Sequence, residues 1–90
     1  MNGYTLYLLH FEPRFKHAGH YLGVARGNRN VVHRWLEHKQ GKGANLTRHA
    51  KNAGSQLILA RIWLNAEFKL ETKLKGRGLA PLCPICSRRA

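Results

Sequence analysis

Two short stretches of mixed aromatic and aliphatic residues, separated by turn chemistry, constrain this chain more than any other feature. Residues 4–11, from Tyr4-Thr5-Leu6-Tyr7 to Phe11, and residues 20–25, His20-Tyr21-Leu22-Gly23-Val24-Ala25, each read as a strand. Between them Glu12-Pro13-Arg14 and Ala18-Gly19 supply turn residues, so the expectation is an antiparallel hairpin with a long tip. A chain of 90 residues builds one modest core. Any catalytic site must therefore lie on the surface of a single small sheet.

Downstream, Asn28 and Asn30 can cap a helix in which Val31, Val32, Trp35 and Leu36 follow the spacing of one buried face. Arg34 and His38 lie four apart on a different face of it. Gly41-Lys42-Gly43 ends that helix, and Leu46 to Ala53 reads as a shorter basic helix stopped by Gly54. Gln56 to Trp63 is a third strand, with Leu57, Leu59 and Trp63 on one face and Ile58, Ala60 and Ile62 on the other. Asn65 can cap a last helix from Ala66 to Lys75, where Ala66, Leu70 and Leu74 form one stripe and Glu67, Glu71 and Lys75 its neighbour. Gly76-Arg77-Gly78 breaks it before a short irregular tail. The order β-β-α-α-β-α predicts an α+β fold, a three-stranded antiparallel or mixed sheet covered by helices. Residues 1–78 form its domain, and residues 79–90 form a tail packed on it.

Sixteen Lys and Arg stand against four acids, Glu12, Glu37, Glu67 and Glu71, for a formal charge of +12. Self-repulsion on that scale opposes a compact state unless a polyanionic partner relieves it, which points to nucleic acid. The basic residues spread over Lys39 to Lys51, Lys69 to Arg77 and Arg88-Arg89, as a folded basic face requires.

With these elements in order, the chain resembles the GIY-YIG nuclease family, in its small stand-alone form. Tyr4-Thr5-Leu6-Tyr7-Leu8-Leu9 is similar to the first family motif, with Thr5 in the place of its glycine, and His20-Tyr21-Leu22-Gly23 is similar to the second. Arg34-Trp35-Leu36-Glu37-His38 resembles the family's helix, Gln40-Gly41-Lys42-Gly43-Ala44 with Arg48 its basic loop, and Glu71-Thr72-Lys73-Leu74-Lys75 its last motif. The resemblance implies a DNA endonuclease or nickase dependent on Mg²⁺ (or Mn²⁺) that leaves a 5′-phosphate and a 3′-hydroxyl on duplex or branched DNA. Glu71 would then be the Mg²⁺ ligand, with Glu67 its rival one turn earlier. Tyr7 is the expected general base or water-positioning group, and Tyr21 bonds the water or the phosphate. Arg34 would stabilise charge on the phosphoryl oxygens, and His38 would orient the phosphate or relay a proton. A phenol is a poor base at neutral pH, so Tyr7 would need Arg34 and the metal to favour phenolate or to mediate the proton transfer. Val24 stands where some family members carry a lysine, which leaves proton removal to Tyr7, to a histidine or to water activated by the metal. Lys39, Lys42, Arg48, Lys51, Lys73 and Arg77 are expected to bind the DNA backbone. The alternatives are a non-catalytic basic nucleic-acid-binding module, or a zinc-stabilised subunit that needs a partner chain.

The residues leave two readings of a second cluster open, a metal site or two reduced surface thiols with unrelated histidines. His17-Ala18-Gly19-His20 and Cys83-Pro84-Ile85-Cys86 together supply two nitrogen and two sulfur ligands, the complement of a closed tetrahedral Zn²⁺ site that would clamp the tail to the hairpin tip. The C-x-x-C spacing suits metal ligation in a reducing compartment. Met1-Asn2-Gly3-Tyr4 lacks the basic and apolar regions of a leader, and no apolar run reaches the length of a membrane span. The expectation is a cytoplasmic, nucleoid-associated protein with no membrane partner.

Overall fold

The computed structural model describes residues 4–26, 30–67 and 69–89. Asn28, one of the two expected helix caps, lies outside them, as do the side chains of Asn30, Arg88 and Arg89. Strands β1 (Tyr4–Phe15), β2 (Ala18–Arg26) and β3 (Gln56–Ala66) form an antiparallel sheet in the order β2-β1-β3. Helices α1 (Asn30–Lys39) and α2 (Asn45–Asn52) connect β2 to β3; α3 (Leu70–Arg77), a 3₁₀ turn (Ala80–Leu82) and α4 (Pro84–Arg89) follow. The α+β class and element order are those expected, but the tail is helical.

The central strand explains its own sequence. A strand covered on both faces reads as a continuous apolar run, and β1 is buried without a break from Thr5 to Phe11. Tyr7, Leu9 and Phe11 meet Ala25, Val31, Ala50 and Leu57 in one core. Leu6 and Leu8 meet Leu22, Ala66, Leu74 and Cys83 in the other. Leu79, Leu82, Ile85 and Cys86 pack on this second core, so the C-terminal segment belongs to the same domain.

Several sequence expectations are corrected by how the strands pair. The hairpin closes on a two-residue turn, Lys16 and His17: pairing is regular to His10↔His20, shifts register over Phe11 to Arg14, and resumes at Phe15↔Ala18. On β3, Leu8 pairs with Arg61 while Leu9 pairs with Leu59, so Ala60 is an extra residue. One inserted residue reverses every side chain beyond it. Trp63 consequently packs with the Leu6 core, on the opposite face from Leu57 and Leu59. A second irregularity, between Tyr4↔Ala66 and Leu6↔Trp63, contains Asn65 at φ 52. Asn tolerates this left-handed backbone, so Asn65 bends the end of β3 instead of capping a helix. Helix α3 accordingly starts at Leu70, not Ala66, and continues through Gly76 to Arg77, ending at Gly78 with φ 85.

On α1 the buried stripe is Val31, Trp35 and His38; Val32 and Leu36 are exposed. Trp35 Nε1–H donates to the Leu57 carbonyl at 3.0 Å, which ties α1 to β3 and turns His38 toward the sheet.

Candidate functional site

Tyr7 lies opposite Gly23 in the β1–β2 register, and the missing side chain there is what admits its ring. A Cβ on Gly23 would stand 2.2 Å from Tyr7 Cζ. The phenol thus passes over the edge strand and its oxygen reaches His38 Nε2 at 2.7 Å. The other ring nitrogen, Nδ1, is 2.7 Å from Thr47 Oγ1, and the Thr47 hydroxyl donates to the Ala44 carbonyl at 2.9 Å. With its one proton committed to Ala44, Thr47 must accept from His38 Nδ1–H. Neutral His38 therefore has its lone pair on Nε2, and the Tyr7 hydroxyl donates to it.

Burial acts on both ends of this chain. It pushes the Tyr7 phenol well above its ordinary range, with the neighbouring Tyr21 adding to the rise and Arg34 opposing it. It also lowers the His38 pKa, against a smaller opposite effect of Glu37 and together with Arg34. Tyr7 is accordingly a neutral phenol, and the basic lone pair that accepts its proton belongs to His38. Phenolate at Tyr7, one of the expected routes to proton removal, is disfavoured by the burial that positions the ring. Thr47→Val, nearly isosteric, would leave His38 Nδ1–H without its acceptor, and the Tm should fall by about 5–15 °C. Differential scanning calorimetry reads this directly; an unchanged Tm would mean that Thr47 does not hold the imidazole.

Tyr7 and His38 open into a cleft of about 320 Å³ lined also by Tyr21, Arg34, Glu37 and Lys42. Tyr21 stacks obliquely against both, with ring centroids 6.3 Å from Tyr7 and 5.1 Å from His38. Arg34, half-exposed, lies 3.6 Å from Glu37. Tyr21 and Val24 also form the wall of an adjoining cleft of about 410 Å³, which holds Glu67, Glu71 and Lys75. The Tyr21 phenol feels both sides: burial raises its pKa, Lys75 lowers it, Glu71 raises it and Arg34 lowers it. Glu71 pairs with Lys75 at 3.3 Å across one helical turn, an arrangement typically stabilising by about 0.3 to 0.5 kcal/mol.

Tyr7, Tyr21, Arg34 and His38 are thus brought together, and Glu71 faces the adjoining cleft through Tyr21. Glu67 precedes α3 instead of occupying its first turn. Of the basic residues, Lys42 lines the cleft; the Lys51 side chain reaches the Gly41 loop, Lys39 lies over the Trp35 ring, and Arg48, Lys73 and Arg77 are exposed on α2 and α3. Thr47 and Gly43 were not legible in the sequence. Gly43 is needed because a Cβ there would stand 2.0 Å from His38 Nδ1, and this becomes visible only once α1 and its loop are folded together.

The second cluster corrects one ligand. His10, His20, Cys83 and Cys86 bring one ligand atom each within 4.8 Å of one another. His17 is exposed in the turn and takes no part. His10 and His20 are register partners, so their side chains leave the hairpin on the same face, where the tail delivers Cys83 and Cys86. The H-x-x-H spacing indicated His17; His10 meets His20 only because the register shifts between His10 and Phe15, which spacing does not reveal. Burial, the largest cause, lowers the His20 pKa, with Arg14 acting in the same direction. The set is a possible His₂Cys₂ metal site compatible with structural zinc.

Among the described residues no helix is long and apolar enough to cross a membrane. Compared with protein-family models, with curated proteins and with solved structures, the chain matches none.

Proposed function

We propose that the chain is a GIY-YIG-type, divalent-metal-dependent DNA endonuclease or nickase that hydrolyses phosphodiester bonds to a 5′-phosphate and a 3′-hydroxyl. The observation that carries this reading is the Tyr7–His38–Thr47 hydrogen-bonded chain, opening beside Arg34 and, across Tyr21, onto Glu71. The +12 charge supplies the attraction for a polyanion.

His38 is the base in this mechanism. A water bonded to the Tyr7 oxygen gives up a proton to it as the Tyr7 proton passes to His38 Nε2, leaving a phenol and an imidazolium. The hydroxide attacks phosphorus, the bond to the 3′-oxygen breaks, and the departing oxygen takes a proton from solvent. Arg34 and Lys42 hold the non-bridging oxygens, where charge accumulates. The Glu67–Glu71 cleft offers the hard oxygen donors that Mg²⁺ or Mn²⁺ prefers, with Glu71 as the main ligand. The bound ion would neutralise charge on the leaving group.

Supercoiled plasmid should be nicked with Mg²⁺ or Mn²⁺ and stay intact with EDTA. Because protonated His38 cannot accept from Tyr7, and burial holds its pKa below the ordinary 6.5, nicking should fall as pH drops through that lowered value. Wild-type protein that binds DNA in a salt-dependent way but never cuts it would be a binding module instead.

A further inference from the structure

Outside the proposed nuclease clefts, on the opposite face of β1 from Tyr7, the His10–His20–Cys83–Cys86 cluster carries an inference of its own. Zinc bonds of about 2.0–2.1 Å to nitrogen and about 2.3 Å to sulfur, at tetrahedral angles, require edges of about 3.3 Å between nitrogens and about 3.6 Å between nitrogen and sulfur. His10 Nδ1 and His20 Nε2 are 3.4 Å apart. Cys83 Sγ and Cys86 Sγ lie 3.5 and 3.7 Å from His10 Nδ1, and Cys86 Sγ lies 3.4 Å from His20 Nε2. These four edges are close to those of a zinc tetrahedron, and all four ligand atoms lie within 4.8 Å of one another.

The tautomer also fits. His10 Nε2 is 2.7 Å from the Glu12 carboxylate, which only accepts hydrogen bonds, so Nε2 carries the proton. Nδ1 is left as a bare lone pair directed at both sulfurs. A carboxylate that fixes the far nitrogen of a histidine ligand is a recurring outer partner of zinc. Neither cysteine is in a disulfide, and Cys83 is fully buried.

We infer that His10, His20, Cys83 and Cys86 bind one structural Zn²⁺, with Glu12 as its outer carboxylate, and that this ion bonds the C-terminal segment to the central and edge strands. All four positions come from protein, so no coordination site is left open for chemistry. The four ligands arrive on three segments, β1, β2 and the C-terminal segment, with Cys83 just before α4 and Cys86 within it, and the link through the ion from His20 to Cys83 closes a long loop of chain. The segment it secures is a 3₁₀ turn and a helix of 6 residues, too short to be stable alone.

The test uses the whole chain. Elemental analysis of purified protein should find about one zinc per chain. Metal-stripped protein should melt more than about 10 °C lower, and recover on adding zinc. Cys83→Ser with Cys86→Ser should lose the ion, whereas His17→Ala should keep it. Glu12→Gln should bind zinc about 10- to 100-fold more weakly. Because the cysteine variants could fail to fold, stripped wild-type protein is also loaded with Co²⁺. Four-coordinate visible bands with thiolate charge-transfer absorption support the site, and six-coordinate spectra overturn it. Zinc-free protein whose Tm does not respond to chelation or to added zinc also overturns it, and zinc lost with His17→Ala overturns the ligand set.

Discussion

Glu71→Gln is expected to reduce metal-dependent nicking of plasmid by about a thousandfold while leaving DNA affinity unchanged or slightly higher. The reasoning is electrostatic. Gln keeps the length and shape of the side chain but offers a neutral oxygen, a poor ligand for a hard divalent ion. Stabilisation of the leaving oxygen by such an ion contributes several kcal/mol, and each 1.4 kcal/mol is about tenfold in rate. Structural damage should be small, because the ion pair lost, with Lys75 at 3.3 Å, is partly exposed. Binding should not suffer, since a carboxylate facing phosphates repels them. Gel-shift titration beside the nicking assay separates these effects. If Glu71→Gln still cuts at more than about a tenth of the wild-type rate and Glu67→Gln does not, the metal belongs to Glu67.

Gly23→Ala should be among the most destabilising single-methyl additions in the chain. The new Cβ would lie 2.2 Å from Tyr7 Cζ and 2.4 Å from its hydroxyl oxygen, closer than real side chains approach. Tyr7 is only 2% exposed, so its ring has nowhere to retreat. Overpacking costs about 1–3 kcal/mol, and pulling the hydroxyl from His38 leaves a buried polar atom unpartnered at about 1–3 kcal/mol more. For a domain of this size the Tm should fall by about 10–20 °C. Gly76→Ala, in α3 with no atom within 4 Å of its added methyl, is the control. It should stabilise the chain slightly, since Ala exceeds Gly in helix propensity by about 1 kcal/mol. Equal Tm shifts for the two variants would mean that Gly23 is not fitted to Tyr7. If Gly23→Ala folds, the proposed proton path predicts that its nicking falls more steeply than its stability.

Element order was legible because periodicity and breaker residues are local: Gly41 and Gly54 end helices, and the unbroken run from Thr5 to Phe11 belongs to a strand buried on both faces. Element ends were less legible. Asn65 looks like a cap from its residue type, and only the pairing of β3 with β1 makes it a left-handed bulge. The same holds for Trp63, whose face changed when Ala60 dropped out of register.

Tyr7, Tyr21, Arg34 and Glu71 were named from the sequence through the resemblance of their motifs, and the fold brings the first three together with Glu71 in the adjoining cleft. Their roles could not be read from the sequence. A sequence shows that Tyr7 is a phenol and His38 an imidazole; it does not show that Thr47, committed to Ala44, forces the proton onto Nδ1 and the lone pair toward Tyr7. Likewise, four residue types suited to zinc were evident from Cys83, Cys86 and a pair of histidines, while the choice of His10 over His17 waited on strand register. Residue chemistry and local spacing are properties of the chain itself. Which lone pair faces which proton, and which histidine meets which sulfur, depend on contacts between residues far apart in sequence, and those were decided only when the sheet and its two helical layers came together.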